Sequence, residues 1–172
     1  VPTSSTINQL SLGDALAIST LKRKKINNQD FKKYHPSGSL GEKLKTVEDV
    51  MLKQNRIPFI NEKTSMNKAL KIMTQKKLGT LIARNKSNYT TGIITDGQIR
   101  RFNSKNISFN LLKVKDVMTK NPIKIEKNTL ATKALSIMNE KKITSLCVYN
   151  KNKKNITIGI VHVHNILNKE IY

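Results

Sequence analysis

One of the three histidines of the chain, His35, stands in a short segment rich in lysine, serine and glycine that runs from Phe31 to Glu42. An imidazole can take or give a proton near neutral pH, which makes His35 a candidate for general acid–base chemistry. The alternative is a linker histidine that packs against a neighbouring domain. The residue types of this segment, taken alone, favour the linker.

Four hydroxyl side chains, Thr3, Ser4, Ser5 and Thr6, stand near the beginning of the chain. The spacing of apolar residues predicts a helix over residues 11–25 after them. A hydroxyl cluster that leads to a helix N-terminus can bind an anion. It can equally be an ordinary cap, and spacing alone favours the cap.

The sequence Thr95-Asp-Gly-Gln98 follows a run of β-branched residues and is followed closely by Arg100 and Arg101. A hydroxyl group and two guanidinium groups at this spacing can meet a phosphate. The alternatives are structural, because Asp96 suits the cap of a helix that starts at Gly97. The two arginines can also belong to a solvated basic face.

The corresponding place later in the chain reads His162-Val-His-Asn165. If a strand continues through His162 and His164, both side chains point to the same face, as a pair of metal ligands would. Two ligands do not complete a metal site, and no cysteine or third histidine is near them in the sequence. We therefore expect no metal there.

An internal repeat organises most of the chain. Four blocks recur in the same order, at offsets of 67, 65, 65 and 67 residues. The first block, Val47-Glu-Asp-Val-Met51, returns as Val114-Lys-Asp-Val-Met118. The pattern predicts a leader over residues 1–45, two copies of one unit over 46–106 and 113–172, and a linker at 107–112.

Each copy is predicted to have the order β-α-β-β-α, which gives a mixed α/β (α+β) fold. The first helices are predicted to be capped by Thr64 and Asn128. One copy alone would leave an apolar sheet face open, whereas two can bury these faces against each other. The strands expected after the first helices are Thr80–Ala83, Thr91–Thr95, Ser145–Tyr149 and Ile156–Val161, joined by polar loops at 85–88 and 150–155. The closing helices are expected at Gly97–Phe102 and Val163–Lys169, and a short leader helix at Asn27–Tyr34.

Composition narrows the class of protein. The formal net charge of +21 comes almost entirely from lysines spread along all 172 residues, without an arginine-rich arm or zinc-ligand spacing, so we do not expect specific nucleic-acid binding. No apolar run has the length of a membrane span. The single cysteine, Cys147, lies in an apolar run, which predicts a core residue and is compatible with the cytoplasm. The chain starts at Val1 without an initiator methionine, so we expect a piece of a longer protein.

The sequence Gly92-Ile-Ile-Thr-Asp-Gly-Gln-Ile-Arg-Arg101, the Asp-Val-Met openings and the repeat resemble a tandem pair of cystathionine-β-synthase (CBS) domains. The leader carries Pro2-Thr-Ser-Ser-Thr6, Gly13-Asp-Ala-Leu-Ala17, Asp30-Phe31 and His35-Pro-Ser-Gly-Ser-Leu-Gly41, and it resembles the end of a sugar isomerase (SIS) domain. A SIS domain joined to a CBS pair is similar to the D-arabinose 5-phosphate isomerase family. The resemblance covers essentially the whole chain.

That resemblance implies an isomerase that interconverts D-ribulose 5-phosphate and D-arabinose 5-phosphate, which supplies Kdo for lipopolysaccharide. The reaction passes through an enediol and requires no metal or redox cofactor. The resemblance makes His35 the catalytic histidine and places Thr3, Ser4, Ser5 and Thr6 near the sugar phosphate. The phosphate-binding loop, a lysine and two glutamates of the family would lie upstream of this chain, so the chain alone is expected to be inactive. Relatives are tetramers with active sites at subunit interfaces.

CBS pairs commonly hold a nucleotide where a strand ends with Ser/Thr-x-x-Asp. Here the acidic position is an amide in both copies, Gln98 and Asn165, so a charge-assisted bond to a ribose diol is missing. The resemblance still points to a regulatory cleft, for which a nucleotide or a nucleotide-sugar such as CMP-Kdo is the expected ligand. Its candidate residues are Thr95, Asp96, Gln98, Arg100, Arg101, His162, His164 and Asn165. The alternative is a stand-alone nucleotide-sensing module without a catalytic role.

Overall fold

The structure is a computed structural model that describes residues 2–26, 30, 44–103 and 108–167. It divides into two compact units, Val1–Leu44 and Lys45–Tyr172. Both copies of the repeat lie in the second unit. His35 and most of the predicted helix at Asn27–Tyr34 lie outside the described residues.

In the part of the first unit that the structure describes, the long helix α1 runs over Thr3–Arg23. It begins eight residues earlier than predicted, so the prediction that the hydroxyl cluster precedes the helix is wrong. The Thr6 hydroxyl donates to the Pro2 carbonyl over 2.7 Å, as the Ser5 hydroxyl does over 3.3 Å. These bonds let hydroxyl residues lie inside a helix, because each reaches back to a carbonyl three or four residues earlier.

Helix α1 buries none of its residues within the part of the chain that the structure describes. Leu10 and Leu12 are 68% and 62% exposed. Side chains two positions apart on a helix point in directions about 200° apart. Apolar side chains therefore stand on opposite faces of α1. A helix that is apolar on more than one face is typical of a helix from a domain core.

The second unit is built from two four-stranded sheets and the helices that cover them. Their order along the chain confirms the predicted β-α-β-β-α pattern of each copy, with a short helix and a short strand added before it. In the first copy the elements are α2 (Val47–Val50), β1 (Leu52–Lys53), β2 (Phe59–Asn61), α3 (Met66–Lys76), β3 (Thr80–Arg84), β4 (Thr90–Thr95) and α4 (Asp96–Asn103). In the second copy they are α5 (Val114–Val117), β5 (Thr119–Lys120), β6 (Lys124–Glu126), α6 (Ala131–Lys141), β7 (Ser145–Asn150), β8 (Lys153–His162) and α7 (Val163–Leu167).

Several predicted boundaries move by one to three residues. Ser65 and Leu130 precede α3 and α6, in place of the predicted caps Thr64 and Asn128. Helix α4 begins at Asp96, so that residue lies in its first turn and is not its cap. Strand β8 begins at Lys153, because the hairpin pairs Asn150 with Lys153 and shortens the expected loop to a turn.

The short opening strand of each copy joins the sheet of the other copy. The sheet orders are β2-β3-β4-β5 and β1-β8-β7-β6. In the first copy β2 is parallel to β3 and β3 is antiparallel to β4, and in the second copy β6, β7 and β8 pair in the same way. Strand β5 of the second copy lies antiparallel to β4, and β1 of the first copy lies antiparallel to β8. Each sheet is therefore completed at one edge by the other copy.

The short helices before these strands are exchanged in the same way. Val114 and Val117 of α5 are buried in the core of the first copy, beside residues such as Leu81 and Ile94. Val47 and Val50 of α2 are buried in the core of the second copy. Backbone hydrogen bonds also join each short helix to the other copy. The Val114 amide donates to the Thr64 carbonyl over 2.9 Å, and the Val47 amide donates to the Thr129 carbonyl over 2.8 Å.

Equivalent residues of the two copies meet where the sheets face each other. The Thr80 and Ser145 hydroxyl oxygens lie 3.4 Å apart, and those of Thr90 and Thr157 lie 2.7 Å apart. These residues occupy matching positions of the repeat, 65 and 67 residues apart. The contacts therefore mark an approximate twofold axis. Ile57, Ile82, Cys147 and Ile160 form a small apolar cluster of their own.

The thiol of Cys147 is expected to be unreactive in the folded protein. Its residue is fully buried, and burial raises the pKa of the thiol to about 11, so little thiolate forms at pH 8. Because Cys147 is the only cysteine in the chain, a chromogenic disulfide reagent should report no fast-reacting thiol in buffer and one in denaturant. A thiol that reacts equally fast under both conditions would contradict this burial.

Candidate ligand cleft

A cavity of about 810 Å³ lies between the two copies, at the ends of β4 and β8. Both copies contribute to its walls, and Ser145, which meets Thr80 at the approximate twofold axis, is one of its lining residues. The lining residues are Leu78, Gly79, Ile93, Thr95, Asp96, Gly97, Gln98, Arg100, Arg101, Thr119, Asn121, Pro122, Ile123, Lys142, Ile143, Thr144, Ser145 and His162. The cavity is large enough for a ligand of nucleotide size.

The cleft brings together most of the residues that the sequence singled out. Thr95, Asp96, Gln98, Arg100, Arg101 and His162 all line it. His164 and Asn165 are not among its lining residues. The hydroxyl cluster Thr3, Ser4, Ser5 and Thr6 is exposed on α1, in the other compact unit.

The Gln98 amide is held by bonds within the protein. Its side-chain oxygen accepts a hydrogen bond from the Thr95 backbone amide over 2.7 Å, and its side-chain nitrogen donates to the Thr119 hydroxyl. Only 9% of Gln98 is exposed. The amide therefore joins the end of β4 to β5, and its oxygen is already occupied where a ribose diol would need it.

Asn165 has the matching role in the second copy. Its side-chain oxygen accepts from the His162 backbone amide over 3.0 Å, as Gln98 does from Thr95. An amide at the fourth position of each motif thus closes the turn from strand to helix. This structural role accounts for both residues without a ligand.

Asp96 is the acidic group of the cleft. Its carboxylate lies directly over Gly79, since a Cβ atom built on Gly79 would stand 2.5 Å from one carboxylate oxygen. Gly79 also has a positive φ of 59°, which a residue with a side chain adopts only with strain. Gly79 therefore leaves room for the carboxylate, which is exposed to the cavity.

Cations outnumber acids along the walls. The lining residues include the cations Arg100, Arg101 and Lys142 but one carboxylate, that of Asp96. Arg100 and Lys142 are exposed, so they can rearrange around a ligand without breaking a core contact. A cleft with this surplus of positive charge attracts anions.

His162 and His164 lie close together but do not form a metal pair. Strand β8 ends at His162 and α7 begins at the next residue, so the condition for a shared strand face is not met. The rings are stacked with centroids 5.0 Å apart. Burial and the neighbouring His164 lower the pKa of His162. Over the described ranges, no group of three or more histidine, cysteine, aspartate or glutamate side chains could hold a metal ion.

Of the wall made by the second copy, sequence reasoning found His162 and missed the rest. Asn121, Pro122 and Ile123 follow β5, and Lys142, Ile143 and Thr144 precede β7. The repeat contained a usable signal, because Lys142–Ser145 matches Lys77–Thr80. Nothing local marks these residues as facing Thr95, since that contact depends on the exchange of short strands between copies.

The CBS domain family profile matches two stretches, residues 47–105 and 114–171. The chain belongs to the CBS-domain family. The two matched stretches coincide with the two copies that build the cleft, so the second unit is a CBS pair. Among solved structures, it resembles CBSX2, a CBS-pair protein of Arabidopsis thaliana crystallised in complex with AMP, with a TM-score of 0.64 at 21% identity. That likeness covers 73% of this chain and 96% of CBSX2, and it supports the fold alone.

Two relatives extend the similarity of the CBS pair to the leader. Arabinose 5-phosphate isomerase KdsD of Francisella tularensis is 44% identical over 173 residues, which is 99% of this chain and 51% of that protein. The enzyme of the same name from Yersinia pestis is 38% identical over 167 residues, 96% of this chain and 50% of that protein. The chain thus spans about half the length of the relatives it matches. None of the helices described is long and apolar enough to cross a membrane.

Proposed function

We propose that this chain is part of an arabinose 5-phosphate isomerase and joins the end of its SIS domain to a regulatory CBS pair. The observation that carries the proposal is the 44% identity to KdsD over 99% of the chain, which includes the leader as well as the CBS pair. In this proposal residues 1–45 complete a SIS domain, residues 46–106 and 113–172 are the CBS domains, and residues 107–112 link them. The enzyme acts on sugar phosphates in the cytoplasm as a homotetramer and supplies Kdo for lipopolysaccharide.

The apolar faces of α1 agree with a place inside a larger domain. Ile7, Leu10, Leu12, Leu16 and Ile18 are each more than half exposed. Burying a leucine or isoleucine contributes about 1.5–3 kcal/mol, so leaving five in water is costly. In a whole SIS domain, as proposed, the rest of the domain would cover them.

The proposed chemistry is a proton transfer between C1 and C2 of a pentose phosphate through an enediol. His35 would supply the imidazole that moves this proton or opens the sugar ring. The hydroxyls of Thr3, Ser4, Ser5 and Thr6 would lie near the substrate and offer it hydrogen-bond partners.

The full-length protein that contains this chain tests the isomerase proposal. It should convert D-ribulose 5-phosphate to D-arabinose 5-phosphate in a coupled assay, and His35→Asn should lower kcat by at least about 100-fold, as expected when a general acid–base group is lost. The control is His164→Asn, which changes the same side chain in the CBS pair and should leave kcat unchanged. A full-length protein without isomerase activity, or a fully active His35→Asn variant, would exclude the assigned role.

The CBS pair is proposed to bind a phosphate-bearing regulator in the cleft, either a nucleotide or a nucleotide-sugar such as CMP-Kdo. The surplus of cations on the cleft walls supports an anion, and the relative CBSX2 was crystallised in complex with AMP. Thermal unfolding with AMP, ATP and CMP-Kdo tests this, because a ligand at 100 times its Kd stabilises the folded state by about 2.7 kcal/mol. A shift with adenine nucleotides only, in a full-length protein without isomerase activity, would favour the stand-alone nucleotide sensor.

A further inference from the structure

The approximate twofold axis of the CBS pair relates the described cleft to a second place between the two copies, which we call the second cleft. Its walls would be the first-copy residues that precede β2 and β3, and the second-copy residues that follow β8. We propose that only the cleft beside Thr95 binds a ligand, so that each chain takes one, and that Asp96 there recognises hydrogen-bond donors of this ligand beside its anionic group. This inference rests on the proposed ligand binding in the cleft.

The loop that forms one wall of the second cleft is longer than its counterpart. Ile60 and Ile125 hold matching places in the sheets, where they pair with Ala83 and Val148. Nine positions separate Met51 from Ile60, whereas seven separate Met118 from Ile125. The two additional residues are accommodated in a 3₁₀ turn at Gln54–Arg56. At the matching place, the cleft beside Thr95 has the shorter segment Asn121–Ile123.

A lysine fastens this longer loop to the end of α3, on the same first-copy wall. The Lys76 ammonium, at the end of α3, donates to the Asn55 carbonyl over 2.5 Å. The matching lysine of the second copy, Lys141, instead pairs with its neighbour Glu140 over 2.8 Å, and both of these side chains are largely exposed. The two segments of the first-copy wall are therefore joined in the second cleft, whereas the matching lysine of the first cleft pairs within its own helix.

The polar groups of the two clefts also differ. Val163 stands in the second copy where Asp96 stands in the first, and Leu167 stands where Arg100 does. Thr144 occupies the place of Gly79. A carboxylate and the glycine that makes room for it thus occur together in the first copy only, as expected if Gly79 is kept to seat Asp96.

A carboxylate among cations selects a particular kind of ligand. Ionised Asp96 can only accept hydrogen bonds, so it favours hydroxyl or amino groups and repels a second phosphate. Arg100 and Lys142 supply the charge for one anion nearby. The Gln98 oxygen is already bonded to Thr95, and Asp96 is the one carboxylate among the lining residues, so it is the strongest acceptor that the cleft offers a sugar diol. The geometry fits a monophosphate with free hydroxyls, such as a nucleoside monophosphate.

Titration calorimetry of the full-length protein tests both parts, with AMP, CMP and the 2′,3′-dideoxy form of each as probes. We expect one site per chain. We also expect dideoxy forms to bind at least about tenfold more weakly, since a hydrogen bond to a charged group contributes roughly 1.5–3 kcal/mol and each 1.4 kcal/mol is about tenfold. Asp96→Asn should remove most of this preference, and Gly79→Thr, which displaces the carboxylate, should do the same. Glu140→Gln changes an acid outside the cleft and should keep it.

The outcomes separate the two levels of the proposal. Two sites per chain, or an Asp96→Asn variant that keeps the full preference for the ribose hydroxyls, would overturn this inference and leave the regulatory function in place. Absence of binding by every probe would overturn this inference, and the regulatory function falls with it only if ATP and CMP-Kdo also give no shift in thermal unfolding.

Discussion

Gly92→Ala is expected to lower the free energy of unfolding of the CBS pair by about 2–3 kcal/mol, within the range for overpacking a filled core. A Cβ atom at Gly92 would stand 2.5 Å from the Met118 sulfur and 2.9 Å from the Thr119 carbonyl oxygen. The sulfur belongs to a flexible side chain and can move aside. The carbonyl belongs to β5, which is paired with β4 at this residue, so the added methyl group must push the exchanged strand away.

Two matched substitutions set the scale for that result. Gly159→Ala adds the same atom at the equivalent place of the other sheet, where the nearest carbonyl, that of Leu52, is 3.1 Å away, so a smaller loss is expected. Gly97→Ala lies in α4, has only the Thr95 hydroxyl near it at 3.9 Å, and should gain up to about 1 kcal/mol from helix propensity. Urea unfolding followed by circular dichroism gives all three values. A Gly92→Ala variant as stable as Gly97→Ala would show that β5 does not lie against Gly92.

The parts of the fold that the sequence predicts are those with a local pattern. The repeat of Val47–Met51 at Val114–Met118 gives the duplication, and the spacing of Met66, Ala69 and Met73 gives α3. The duplication shows as a recurring string of residues, and the residues that give α3 lie within a few positions of one another. The starts of the helices at Thr3 and Asp96 were predicted wrongly, because hydroxyl and acidic residues occur both at helix caps and in the first turn of a helix.

The exchange of opening segments could not be predicted in this way. Strands β1 and β5 have two residues each, too few to show an alternation of apolar and polar side chains. The partner of β5 lies more than 25 residues away in the sequence, in β4, and the partner of β1 lies more than 100 residues away, in β8. The structure explains why each copy opens with the aspartate of Asp-Val-Met. Asp49 and Asp116 accept from the Thr46 and Lys113 amides over 2.7 and 2.9 Å and so start the exchanged helices.

The sequence predicted which strand ends border the candidate cleft, but it did not predict which side chains there are available to a ligand. The motif at Thr95 located one wall, because a turn from strand to helix can be predicted from a single copy of the repeat. Which side chain is available to a ligand depends on the tertiary contacts of each. Gln98 is turned to Thr119 of the other copy, and Asp96 is seated over Gly79, a residue 17 positions earlier.

Each copy of the repeat, made separately as residues 45–107 or 108–172, is expected not to fold as a monomer. The first fragment would lose Val114 and Val117, which are 0% and 3% exposed in the pair. Burial of two such valines contributes about 3–6 kcal/mol, which is most of the stability of a small domain. It would also expose Val47 and Val50, whose partners are in the other fragment.

Mixing the two fragments should restore the structure, because each supplies the short helix and strand that the other lacks. Circular dichroism and gel filtration at low concentration should report two disordered fragments and one folded complex of both. A second fragment that carries Val117→Asp is the matched control, since it removes one exchanged contact and should fail to restore the first. A cooperative unfolding transition in either fragment alone, as a monomer, would mean that each copy holds its own core and that the exchange of β1 and β5 contributes little to the fold.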